Sequence, residues 1–443
     1  MKRFGKKAPK VAKRHKPEIT PRKDHAISRN NINPNALKVL YRLHNSGYSA
    51  YLVGGCVRDL LLGRIPKDFD VATNALPEEV RRVFKNCRII GKRFRLAHIV
   101  FGKEIIEVAT FRTHHENASS EHHAKMHKGM IVRDNVFGLI EDDAWRRDFT
   151  INALYYNIAD YSIVDYTHGM QDIHEKVLRV IGNPEKRFLE DPVRLLRAIR
   201  ISGKLHLNIA PETETAIIHH RHLLREVSNA RLFQEVLKFF QEGATLSTFK
   251  LLEKYQVLEE LFPKMVACFK QESIKQFIEN ALIDADQRTQ MGKTVSPVFL
   301  FTVFLWPPIE YEAKNLEKTG LPRYVALEKS IQTTLKAQMV LLAMPRNLQT
   351  AIREIGLLQH RFHQRHGTRA YRLLTHPRFR AAYDLLQLRA KTEEPLVELA
   401  EWWIKFSESD TATRTTLLKT ANNHSGVKKH KQGRYRRRHK EIH

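Results

Sequence analysis

Cysteine is nearly absent: Cys56, Cys87 and Cys268 are the only three in 443 residues, far apart and without C-x-x-C spacing. This excludes a disulfide framework and a cysteine-ligated zinc site, and it fits a reducing compartment. Long apolar runs are missing as well. The longest, residues 298–306, is too short to cross a bilayer and is expected to close at Pro307 and Pro308, so no transmembrane segment is predicted. The N-terminus has the positive charges of a signal peptide but no apolar stretch after them. A transit peptide stays open for a eukaryotic source. Acid is scarce relative to base: 48 Asp plus Glu against 75 Lys plus Arg leave a net charge of +27. Such a surplus attracts polyanions and makes binding salt-sensitive, so nucleic acid is the first partner to expect and a membrane surface the second.

What is present divides along the chain. Residues 1–32 and 422–443 are basic and poor in large apolar side chains, and are expected to be solvated, disordered tails. Residues 33–182 mix helical periodicity with short β-rich runs at 95–101, 104–111, 149–157, 162–165 and 177–181, which predicts a head with a mixed sheet. Its first helix is expected from 34 to about 46, with Asn33 as N-cap, Pro34 at the first position and Gly47 at the end. From 183 onward almost every apolar pattern has helical spacing, giving a neck over 183–262 and a body with a C-terminal region over 263–421. The fold class is α+β: an α/β head followed by an elongated all-helical remainder. Trp402 and Trp403 are expected in helix core. Residues 113–135, polar and rich in His and Ser, read as a loop. Its His114, His115, His122, His123 and His127 lack the H-x-x-x-H spacing of a helical zinc site, and contact with phosphate is the alternative.

The chain is organised around residues 52–73, LVGGCVRDLLLGRIPKDFDVAT. An apolar run ends at Gly54 and Gly55, and the spacing then turns helical through Val57, Leu60 and Leu61. A strand, a glycine turn and a helix let the backbone approach an anion closely, and Arg58 adds a guanidinium suited to phosphate. The chain is then expected to re-enter a strand with Asp68 and Asp70 on one face and Phe69 and Val71 on the other. A lone D-x-D is often just an exposed edge. Beside a phosphate cradle, two adjacent carboxylates suit a pair of Mg²⁺ ions. Glu107 sits inside the apolar run EIIEVAT, where an unpaired carboxylate is costly, whereas Glu104 reads as a surface residue. Arg146, Arg147 and Asp148 at a strand entry can hold triphosphate oxygens and the sugar edge. Asp191 precedes Pro192 as a helix cap and shares a face with Arg194, a row that Arg197 and Arg200 continue. That pair can read a base edge, and adenine and cytosine both fit it. Arg434, Arg436, Arg437 and Arg438 in the C-terminal tail suit RNA backbone.

The string GGCVRDLLLG followed by KDFDVAT resembles the nucleotidyltransferases of the class that holds bacterial poly(A) polymerases and CCA-adding enzymes, and RRDFTINA at 146–153 matches that class without departure. The resemblance implies attack of an RNA 3′-hydroxyl on the α-phosphate of a nucleoside triphosphate. It makes Asp68, Asp70 and Glu107, in IIEVATFR, the ligands of two Mg²⁺ ions, with Mn²⁺ open. It assigns substrate contacts to Gly54, Gly55, Arg58, Arg146, Arg147, Asp148, Asn152, Asp191, Arg194, Arg197 and Arg200, with the base selected by protein side chains rather than by a template. No nucleophilic Ser or Cys is implied, and Cys56 is a turn residue. The runs IIGKRFRLAH at 89–98, LWPP at 305–308 and HPRFRAAYDLL at 376–386 resemble the poly(A) polymerases of the class. ATP and RNA 3′ ends are thus the expected substrates, RNA chaperones or RNA-decay proteins the expected partners, and the cytoplasm the expected location, with peripheral association with the inner membrane open. A CCA-adding tRNA enzyme is the runner-up. An inactive RNA-binding protein of the same fold comes third, since its signature, a lost carboxylate, is missing.

Overall fold

The computed structural model describes residues 16–91, 95–113, 126–127, 130–131 and 137–424. His114, His115, His122 and His123, and Arg434, Arg436, Arg437 and Arg438, lie outside the described residues. The chain folds as two compact units: one runs up to Glu235 and includes Ser247–Glu260, the other comprises Val236–Leu246 and everything from Leu261.

In the first unit, helix α1 (Pro34–Asn45) starts at the expected cap, where Asn33 Oδ1 accepts from the backbone N–H groups of Asn35 and Ala36 at 2.7 and 3.3 Å. Gly47, at φ +84°, turns the chain out of it. The strands are β1 (Glu18–Thr20), β2 (Ala50–Val53), β3 (Asp70–Thr73), β4 (Cys87–Ile90), β5 (Leu96–Phe101), β6 (Glu104–Thr110), the short pair β7 (Met126–His127) and β8 (Met130–Ile131), β9 (Leu154–Asn157), β10 (Ile163–Asp165), and the short parallel pair β11 (Val177–Leu178) and β12 (Asn208–Ile209). Eight of them form one mixed sheet in the order β1-β10-β9-β2-β3-β6-β5-β4, with β3 and β6 parallel. The period of two then sorts the side chains. Leu52, Val71, Ile99, Ile106, Val108 and Tyr156 face one side, where α1, α2 (Gly55–Leu61) and α3 (Pro77–Val83) cover them with Val39, Leu40, Val57 and Val80. Full burial of each such aliphatic contributes about 1.5–3 kcal/mol. On the other side Val53, Ala72, Tyr155 and Val164 form a smaller cluster with Phe111 and with Ala144 of α4 (Ile140–Trp145).

Several expectations are corrected. The N-terminal tail was expected to be disordered through residue 32, but β1 pairs with β10, and Ile27 and Ile32 are buried. A few well-spaced isoleucines are enough to anchor a basic segment on an otherwise open sheet edge. The single strand expected at 149–157 is a 3₁₀ turn, Thr150–Asn152, followed by β9. Pro307 and Pro308 do not end the apolar run either: they lie inside the helix Pro297–Lys318, which is buried from Leu300 to Ile309, so tertiary packing overrides the proline penalty.

The second unit is helical. Phe240, Phe262, Phe301 and Phe304 pack edge to face, and Trp403 Nε1–H donates to the Phe362 carbonyl at 2.9 Å, with Trp402 also buried. Among the described residues no helix is long and apolar enough to cross a membrane.

Candidate active site

A row of side chains crosses the face of the sheet that α1–α3 leave uncovered. Arg88, His98, Glu107, Asp70, Val53, Tyr155 and Val164 stand in register on β4, β5, β6, β3, β2, β9 and β10, and directly paired residues share a face. Asp70 and Glu107 are therefore neighbours, and the turn at Gly54 begins one residue beyond the row. Asp68 differs from expectation: β3 begins at Asp70, and Asp68 lies in the exposed loop before it. The reason is that β2 ends at Val53, the partner of Asp70, so an earlier residue has no strand to pair with on that side.

The carboxylates act on one another. Desolvation pushes the Asp70 carboxyl up to about 6, the charge of Glu107 adds to this, Arg147 opposes it and Asp68 reinforces it. Asp70 still reaches solvent. An all-oxygen donor set with unfavourable negative charge suits a hard divalent cation such as Mg²⁺ or Mn²⁺. Among the described residues no three His, Cys, Asp or Glu side chains converge closely enough to grip an ion as they lie. The fit to a cation thus lies in the donor chemistry and in the repulsion felt at Asp70. Cys56 is buried, and desolvation pushes its thiol up to about 12, so it offers no thiolate nucleophile.

Next to the carboxylates the glycine turn meets the RRD motif. Gly54 has φ +80° and ψ −138°, and a Cβ there would stand 3.6 Å from Arg147 Nη1. Arg147 donates to Asp143 Oδ2 at 3.2 and 2.9 Å and to the Tyr155 hydroxyl at 3.0 Å, and that hydroxyl donates to Asp143 at 2.7 Å. Burial works against the Arg147 charge, but Tyr155 and Asp143 more than offset it, so its proton is held more tightly than usual. Arg146 is the opposite case: desolvation, then Arg112, Arg147 and Arg187, push its guanidinium down to about 9. Such crowding of positive charge is relieved by an anion. Asp148 is buried against Arg197 at 2.6 Å, and burial opposes its charge less than Arg197 and Asn152 favour it, so its carboxyl lies below the ordinary range. Arg58 departs from the phosphate-facing role expected of it. Only 7% exposed, it donates to Asp59 at 2.9 and 2.7 Å and to Asn152 Oδ1 at 2.8 Å, pinning the glycine turn to the RRD segment.

Of the row expected on one helix face, Arg194, Arg197 and Arg200 lie on a helix, whereas Asp191 stands just before it, and each of the four has a partner. Asp191 separates α6 (Pro184–Glu190) from α7 (Val193–Leu205), after α5 (Gly169–Glu175), and its Oδ1 accepts from the Val193 N–H at 3.3 Å. Its Oδ2 pairs with Arg231 at 2.8 Å, Arg194 with Glu190 at 2.9 Å and Arg200 with Glu235 at 3.2 Å. Arg187 donates to Glu190 at 2.9 Å and to the carbonyls of Arg146 and Arg147, tying this helix pair to the RRD segment. Asp143, Tyr155, Arg187, Glu190, Arg231 and His98 were not anticipated. Asp143, four residues before Arg147, and Glu190, three after Arg187 and four before Arg194, carried a usable spacing signal.

Three family models match the chain: "Poly A polymerase head domain" over residues 50–179, "Probable RNA and SrmB- binding site of polymerase A" over 206–269 and "Polymerase A arginine-rich C-terminus" over 319–440. A poly(A) polymerase I of Salmonella typhimurium is 49% identical over 399 residues, 88% of this chain and 86% of that one. A CCA-adding enzyme of Bacillus subtilis is 37% identical over 226 residues, 51% of this chain and 55% of that one. A solved tRNA-processing enzyme in an apo form has a TM-score of 0.58 at 23% identity, covering 89% of this chain and 99% of that one, which shows a shared fold. The likeness to the poly(A) polymerase covers most of the chain, whereas that to the CCA-adding enzyme covers about half of it. The chain therefore belongs to the poly(A) polymerase family and is an enzyme, a polynucleotide adenylyltransferase.

Proposed function

We propose that the chain adds AMP from ATP to RNA 3′ ends without a template, with Asp68, Asp70 and Glu107 as the holders of two Mg²⁺ ions, or of Mn²⁺. The observation that carries this reading is the register pairing of Asp70 with Glu107 on the face onto which the Gly54 turn opens. When bound, such ions supply positive charge for the triphosphate and acidify the attacking hydroxyl. The 3′-oxygen forms a bond to the α-phosphorus as the bond to the bridging oxygen breaks, pyrophosphate leaves and the hydroxyl proton passes to solvent. Arg146 and Arg147 hold triphosphate oxygens, and Gly54 and Gly55 let the backbone come close to them. Arg58 keeps that turn against Asn152, and Asp148 with Arg197 orders the sugar edge. Asp191 accepts from the adenine amino group and Arg194 donates to its ring nitrogen, held for this by Arg231 and Glu190. Arg200, paired with Glu235, steadies the same helix.

RNA is held by charge. The arginine-rich C-terminal match reaches residue 440 and so includes Arg434, Arg436, Arg437 and Arg438. With a net charge of +27, grip on the backbone weakens steeply with salt. The cytoplasm is the proposed location. Supplying single nucleotides with a generic RNA tests the substrate: long tails from ATP alone support the reading, and a short CTP-dependent extension overturns it in favour of CCA addition. Asp70→Asn tests the ligands, since unchanged incorporation at saturating Mg²⁺ removes Asp70 from the set.

A further inference from the structure

His98 stands directly opposite Glu107 on β5, just as Asp70 stands opposite it on β3. Its Nε2 lies 3.3 Å from Glu107 Oε1, is enclosed from solvent and has no hydrogen-bond partner among the described residues. The Glu107 side chain is 49% exposed and long. A buried ring nitrogen with one carboxylate in reach satisfies itself by donating to that carboxylate after a small rotation. We propose that His98 is a positioning residue that fixes one oxygen of Glu107 and leaves the other for the divalent cation on the Asp70 side. The contact removes rotamer freedom that a half-exposed glutamate must otherwise give up on binding the ion. Outer partners of metal-ligating groups act in this way. The inference rests on the reading of Glu107 as a ligand.

The test is Mn²⁺ binding to the full chain, followed by electron paramagnetic resonance with a non-hydrolysable ATP analogue present. His98→Ala should weaken Mn²⁺ binding roughly tenfold. At saturating Mn²⁺ its kcat should fall much less than its affinity. His98→Gln, whose amide N–H reaches a similar position, should restore most of the affinity, which a merely structural loss would not allow. In a Glu107→Gln background His98→Ala should add nothing. A folded His98→Ala protein with wild-type Mn²⁺ affinity overturns the inference, as does equal weakening in the Glu107→Gln background. If the alanine variant fails to fold, His98→Asn decides: its shorter amide should weaken binding as far, and unchanged affinity overturns the inference. Glu107→Gln with wild-type affinity overturns the ligand reading and the His98 inference together, whereas a weakened Glu107→Gln beside an unaffected His98 variant overturns the second alone.

Discussion

The two faces of the sheet in the first unit are built from the same strands and differ in nearly everything else. On the face under α1–α3 the strands set down a core of buried aliphatic side chains such as Leu52, Val71, Ile99, Ile106 and Val108. On the other, residues one position along carry the carboxylates of Asp70 and Glu107, the enclosed His98 nitrogen and the approach to Arg147. Period-two alternation lets one strand serve both. Stability is concentrated on the covered face and unfavourable charge on the open one, so substitutions of adjacent residues should separate activity from stability.

The largest separation is expected at Asp70. Asp70→Asn keeps shape and removes charge, and single-nucleotide incorporation from ATP should fall on the order of a thousandfold or more, the scale of losing electrostatic stabilisation at the reacting centre. On the covered face, Ile106→Ala should do the reverse. The side chain is 1% exposed, so its loss should destabilise the protein by about 2–5 kcal/mol in denaturant melts while the folded fraction keeps its kcat. An Ile106→Ala protein as stable as wild type, or one that loses kcat as Asp70→Asn does, would erase the distinction between the faces. A smaller effect sharpens it. Tyr155→Phe removes the hydroxyl between Asp143 and Arg147, at a stability cost of about 1 kcal/mol, and should raise the KM for ATP several-fold with a lesser change in kcat.

The difference between the faces also explains what could be read in the sequence. The covered face follows from local rules: apolar alternation, the Asn33–Pro34 helix start and the glycine after Val53 each specify their neighbourhood without the rest of the chain. On the open face the motifs could be located but not their partners. Arg58 looks like a phosphate ligand in a string, yet buried contacts with Asp59 and Asn152 claim it, the latter 94 residues away. Asp191 finds Arg231 forty residues on, and Asp68 leaves the strand because β2 stops at Val53. Such choices depend on which strands become neighbours, and no periodicity encodes that.

The smallest effect is the most diagnostic, because it reads the strain of the open face directly. The Asp70 carboxyl ordinarily titrates at 3.8 and is raised to about 6 in the fold, so the native protein binds this proton more tightly than the unfolded chain does. By linkage, that contribution is fully present below the unfolded value and is lost as pH rises through the folded one. Asp70 reaches solvent, so screening limits the effect to about 1 kcal/mol. Asp70→Asn removes the penalty. The variant should therefore melt slightly above wild type at neutral pH, with the difference vanishing below a pH of about 4, in the protein whose activity is most damaged. Added Mn²⁺ should close the same gap from the other side, by stabilising wild type and not the variant. If the asparagine protein is instead less stable at neutral pH, Asp70 is a satisfied structural carboxylate, and both faces of the sheet serve stability alone.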